Sequence, residues 1–159
     1  MRSGEKKKNM PTNAILSEFA LFRNLPDELL KKIAALGEEI TYSQGDTIFR
    51  EGEDADKLHF LLDGGIVLKV NLTSRPESIT VSAVSQHNES FGWSGIVPPY
   101  HYTASAICEM DSKVLTIPGD SLMKLLEENP SAGFTVMQRI TEIIASRLRN
   151  SRQALLKTL

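Results

Sequence analysis

With one cysteine, Cys108, in 159 residues, the chain has no internal disulfide, no thiolate-held iron–sulfur cluster and no multi-cysteine structural zinc site. In a β-branched setting that cysteine reads as a small buried hydrophobe. Runs of about 18 apolar residues are also missing, and Met1-Arg2-Ser3-Gly4-Glu5-Lys6-Lys7-Lys8 leads into Asn9 and Met10 without an apolar signal core. The expectation is a cytoplasmic chain with no membrane segment. There is no excess of positive charge either: the net charge is -2 and the pI about 5.9, which argues against a chain whose main business is gripping nucleic acid. His59, His87 and His101 are scattered without metal-ligand spacing, so each reads as a surface or loop residue and neither a metal nor a haem is expected. No 20-to-50-residue repeat or low-complexity tract is present.

What remains is ordinary globular material, 41% hydrophobic and 24% charged, enough for one domain with appendages. Basic residues gather at the ends. Residues 1–11 read as a flexible basic arm, and Arg139, Arg147, Arg149, Arg152 and Lys157 as a solvated positive face on the last helix. From Ala14 to Gly37 the pattern is helical, with Pro26-Asp27-Glu28 as a start signal and Leu29, Leu30, Ile33 and Leu36 on one face. Between Ile40 and Ile117, runs rich in Val, Ile, Phe and Thr are cut by turn signals at near-regular spacing. This predicts a mainly β domain with flanking helices, of jelly-roll or related barrel type. Leu58, Phe60 and Leu62, then Ile66, Leu68 and Val70, suggest a hairpin turning at Gly64-Gly65. Asp120 is placed to cap a helix carrying Leu122, Leu125 and Leu126, and Pro130 opens a longer one. Residues 12–130 thus form the β domain with its flanking helices, and residues 131–159 the long helix. On that helix Phe134, Met137, Ile140, Ile144, Leu148, Ala154, Leu155 and Leu159 recur at helical spacing. At roughly 40 Å it is too long for a small barrel to cover, so a homodimer seam is expected.

The most informative stretch runs from Phe91 to Ala106. A short helix after Gly92 would aim the amides of Ser94, Gly95 and Ile96 at an anion, with small residues allowing close approach. Thr103 and Ser105 offer hydroxyls on the neighbouring strand beside Ala104, and His101 a cation if an anion raises its pKa. Trp93 and Tyr102 are large and uncharged.

From about Phe19 to Leu148 the chain resembles the cyclic nucleotide-binding domains of the catabolite-activator type. The resemblance rests on the order and spacing of Gly45-Asp46-Thr47-Ile48, Glu51-Gly52-Glu53, Leu58 to Ile66, Phe91-Gly92, Thr103-Ala104-Ser105 and Val114-Leu115-Thr116-Ile117. It implies an eight-stranded β-roll, an effector pocket and a C-terminal helix that responds to occupancy. It also implies a glutamate after Gly92 for the ribose and an arginine ten residues beyond that glycine for the phosphate; here Trp93 and Tyr102 stand there. Two consequences stay open. Either the pocket is retuned for a phosphate-bearing or flat anionic metabolite, binding a cyclic nucleotide weakly at Phe91 to Ile96 and His101 to Ser105, or Trp93 and Tyr102 fill it and leave a pocketless regulatory and dimerisation module.

Other readings are weaker. Gly92-Trp93-Ser94-Gly95-Ile96 misses the nucleophile elbow of hydrolases at Ile96, and no base and orienter accompany Ser94, so no enzyme is expected. The resemblance would place a helix-turn-helix beyond the long helix, but the chain stops at Leu159. Direct nucleic-acid binding is therefore not expected; a fragment of a catabolite-activator-like transcription regulator is the alternative. The implied partners are a small effector, a second copy and a downstream protein.

Overall fold

The computed structural model describes Pro11 and residues 13–159; the basic arm expected over residues 1–11 lies, apart from Pro11, outside the described residues. Helices α1 (Asn13–Ser17) and α2 (Asp27–Leu36) precede strands β1 (Glu38–Tyr42), β2 (Thr47–Phe49), β3 (Lys57–Asp63), β4 (Ile66–Asn71), β5 (Ser78–Val84), β6 (Ser90–Phe91), β7 (Ser105–Cys108) and β8 (Ser112–Pro118). A 3₁₀ turn (Trp93–Gly95) follows β6, and α3 (Gly119–Glu128) and α4 (Pro130–Lys157) close the chain. The eight strands form two four-stranded antiparallel sheets, ordered β1-β8-β3-β6 and β2-β7-β4-β5. This is the β-roll with flanking helices that the resemblance implies.

The expected β3–β4 hairpin is not one. β3 pairs with β6 and β8, while β4 pairs with β5 and β7, so at Gly64-Gly65 the chain crosses from one sheet to the other. The crossing needs a backbone that only glycine adopts easily: Gly64 sits at φ 104, and a Cβ there would lie 2.6 Å from the Asp111 carbonyl oxygen. The continuous burial of Leu58 to Leu62 has the same origin. Leu58, Phe60 and Leu62 face the helices, whereas Leu61 faces the roll interior, and a strand covered on both faces reads as an unbroken apolar run rather than an alternation.

Two cores result. One joins the helices to the outer face of β3 and β8, with Phe60 stacked on Phe19 at 4.7 Å and tilted against Phe22 at 5.4 Å. The other fills the roll and includes Tyr42, Phe49, Leu61, Ile66, Phe91, Tyr102 and Val114. Cys108 belongs to the second core, where burial pushes its thiol up to about 11.

Pro130 does open α4, at its first turn. Asp120, expected as a cap, instead lies inside the first turn of α3 and accepts from Ser121 N at 2.8 Å. The apolar stripe of α4 divides by burial. Ile140 is buried, Met137 and Ile144 pack on the first core, and Phe134, Leu148, Leu155 and Leu159 are exposed. Among the described residues no helix is long and apolar enough to cross a membrane.

Candidate functional site

β6 ends at Phe91, and Gly92 turns the chain at φ 74 into the 3₁₀ turn. Glycine is required there twice over, because a Cβ would also lie 2.7 Å from the His59 ring. The turn consumes two of the three amides expected to face an anion: Gly95 N donates to Gly92 O at 3.1 Å and Ile96 N to Trp93 O at 2.9 Å. Only the Ser94 amide stands clear of these bonds.

The space that Ser94 helps to line is small. A cavity of about 30 Å³ is bounded by Phe49, Leu68, Gly92, Trp93, Ser94, Tyr102, Thr103 and Ala104. That is room for one or two waters, against the roughly 300 Å³ or more of a typical ligand pocket. The sequence-predicted residues Gly92, Trp93, Ser94, Tyr102, Thr103 and Ala104 are therefore brought together around this small cavity, the candidate seat.

Tyr102 forms one wall of it. Its ring is buried and stacks on Phe49 with centroids 3.7 Å apart and planes 11° from parallel. Its hydroxyl donates to Lys57 O at 3.2 Å and lies 3.1 Å from His59 Nε2. Because the tyrosine proton goes to Lys57 O, the hydroxyl accepts from His59 Nε2–H, which assigns the histidine tautomer and leaves Nδ1 buried without a partner. Burial lowers His59 to about 3, with Lys57 adding to the effect, and raises Tyr102 to about 12. Both side chains are neutral at physiological pH. Phe91, stacked on His59 at 5.2 Å, completes a four-ring plug. The backbone of Tyr102 is held as well, by Tyr102 N to Glu53 O at 3.0 Å and Gly52 N to Tyr102 O at 2.8 Å.

The remaining predicted residues are used elsewhere. Ser105 Oγ accepts from Glu51 N at 2.9 Å and so holds the loop after β2. Exposed His101 forms an isolated β-bridge with Asp54 and places its Nδ1 3.1 Å from Asp54 Oδ1, outside the lining of the seat. Ile96 is buried in the helical core. Buried Gly95 lies against Gly119, so a Cβ on Gly119 would strike the Gly95 carbonyl.

Three expectations about charged and titratable residues need correction. His59 is buried in the plug rather than at the surface, and its place in the apolar Leu58–Leu62 run is the signal that would have shown it. Arg139 and Arg147 are not solvated charges on a helix face. Arg139 donates to Leu21 O at 3.0 Å and to Arg23 O at 2.8 Å. The Arg147 guanidinium lies 4.8 Å from the Trp93 ring centroid, donates to Ser90 O and pairs with Glu89 at 3.4 Å. Beyond the plug, a groove of about 430 Å³ runs between β4, β5 and α4, with Leu68, Val81, Trp93, Arg147 and Leu148 among its walls. His87 Nδ1 bonds Leu62 O. Among the described residues no cluster of three or more His, Cys, Asp or Glu is arranged to hold a metal.

Residues 39–129, more than half of the chain, match the cyclic nucleotide-binding domain family. The chain belongs to that family. Its relatives include a CRP-like cAMP-activated global transcriptional regulator of Mycobacterium tuberculosis, 20% identical over 86% of this chain and 58% of that protein. The global nitrogen regulator of Synechocystis is 28% identical over 79% of this chain and 53% of its own length. The chain thus spans a little over half the length of these curated relatives. Among solved structures, a Geobacter metallireducens protein described as cyclic nucleotide-binding is 34% identical, with a TM-score of 0.75 over 87% of this chain and 99% of that one. The catabolite activator protein of Thermus thermophilus shares the fold at a TM-score of 0.69, with 22% identity over 85% of this chain and 61% of that one. In this cyclic nucleotide-binding domain of CRP-like type, the turn after Gly92 and the Tyr102–Ala104 segment enclose a space of about 30 Å³.

Proposed function

We propose that this cyclic nucleotide-binding domain is a non-enzymatic regulatory module whose phosphate seat is held shut by Tyr102, so that ordinary cyclic nucleotides bind weakly, and whose output surface is α4. The observation that carries this is the buried Tyr102 ring, stacked on Phe49 and tied through its hydroxyl to His59 and Lys57. An entering phosphate would have to displace it and would meet no arginine at that position. A hydrogen bond to a charged partner contributes about 1.5–3 kcal/mol, so the missing guanidinium alone weakens binding by one to two decades.

The reading is tested by restoring what the resemblance implies. Trp93→Glu with Tyr102→Arg is expected to raise affinity for cyclic AMP or cyclic GMP at least tenfold, as calorimetry would record. A folded double variant with unchanged affinity would sink the assignment.

A second reading rests on the 430 Å³ groove. Trp93, Leu68 and Val81 offer apolar and aromatic walls, and Arg147 a positive charge, suited to a flat anionic effector lying outside the closed seat. Such a ligand would touch the cassette and α4 together, and differential contact with two helix positions is what shifts their populations. In either reading the exposed Leu148, Leu155 and Leu159 of α4 supply an apolar seam for a second copy or a downstream protein.

A further inference from the structure

We propose that Arg147 is a built-in latch that holds the distal half of α4 on the β-roll without any ligand. The inference rests on the closed-seat reading of the site, since it assigns to a side chain the helix placement that an effector would otherwise set.

The helix needs such a tie. Ile140 is the last buried residue of α4, residues 143–147 are half-buried, and everything from Leu148 onward is exposed. Arg139 clamps the proximal half to the loop after α1 through two carbonyls. Eight residues later Arg147 does the corresponding work against the cassette. One face of its guanidinium lies over Trp93, and Nη2 reaches both Ser90 O and the Glu89 carboxylate. Ser90 is in β6 and Trp93 opens the 3₁₀ turn, so a single side chain grips both ends of the Gly92 bend. Cation–π contact strengthens when the cation is shielded from water, and the Arg147 side chain is 17% exposed, with its Glu89 partner at 27%.

The latch is also poised. Nη1 of Arg147 is buried with no hydrogen-bond partner, a state that water would relieve if the helix swung out. Burial pulls the Arg147 pKa below its ordinary value while Glu89 opposes the change, so the closed position depends on its carboxylate partner. The position after Gly92 therefore matters in a second way: Trp93 supplies the aromatic face on which the helix arginine closes.

Hydrogen exchange on the ligand-free chain tests this, and it is indifferent to whether nucleotides bind. In Arg147→Ala the amides of residues 142–148 are expected to exchange at least tenfold faster, while those of β3 and β8 keep their rates. Trp93 emission should move to longer wavelength as the indole is uncovered. Arg147→Lys, which keeps the charge but loses the planar fork, should fall between the two. If Arg147→Ala does not fold, Glu89→Gln serves in its place, with an expected acceleration of threefold or more in the same segment. Unchanged α4 exchange in the folded variants would overturn the latch. So would an equal acceleration of every amide, the signature of a merely stabilising contact. Tight nucleotide binding by the unaltered chain would instead overturn the closed seat and leave the exchange result standing.

Discussion

In the proposed reading Tyr102 is the side chain that closes the site, and its hydroxyl offers the simplest test. Tyr102→Phe keeps the stack on Phe49 but removes the acceptor for His59 and the donor to Lys57 O. A loss of about 1–2 kcal/mol is expected, read as a lower urea midpoint at unchanged slope; no loss would mean the hydrogen bonds are not made in solution. His59 carries a pH signature. Its folded pKa is lowered to about 3 from 6.5, so between those values the unfolded chain binds a proton that the folded chain refuses. The associated stability is fully present above pH 6.5 and is lost on acidification toward pH 3, at up to about 1.4 kcal/mol per pH unit. His59→Phe should flatten that part of the stability profile, and an unflattened one would place the histidine in water. The sequence shows that Trp93 and Tyr102 have replaced charged residues. It does not show which way the tyrosine ring points, because that depends on Phe49 and His59, brought beside it by strands far apart in the chain.

Elements were legible where their signals are local. Pro26 and Pro130 mark helix starts, and the spacing of β-branched runs gives the strands, because a proline or a turn acts on its own neighbourhood. Pairing was not, since Gly64-Gly65 reads equally as a two-residue hairpin or as a crossing between sheets. The crossing makes Gly64→Ala costly: with φ at 104 and the Asp111 carbonyl oxygen 2.6 Å from the new Cβ, a destabilisation of about 2 kcal/mol or more is expected by thermal or urea unfolding. A hairpin glycine with open space around it would carry only the positive-φ cost, roughly 1–2 kcal/mol, without the added clash. Arg139 and Arg147 were hidden for a related reason. A cation on a helix surface is ordinarily solvated, and only the packed geometry reveals carbonyls and an indole within reach.

The whole molecule combines a roll whose cavity beside Tyr102 holds only about 30 Å³ with a helix that projects beyond it. Leu148, Leu155, Leu156 and Leu159 are each at least 60% exposed, which a helix in water tolerates poorly unless a partner covers it. The chain is expected to sediment as a dimer at tens of micromolar, and Leu148→Glu with Leu155→Glu as the 17.6 kDa monomer; a monomer in both cases would assign the stripe to a different protein. The central claim, a cassette closed by its own tyrosine, is met most directly by calorimetric titration of the unaltered chain with cyclic AMP. No saturable heat, or a dissociation constant of about 1 mM or weaker, is the predicted result. Saturation in the micromolar range would show that Tyr102 leaves the seat for a phosphate and would contradict the account.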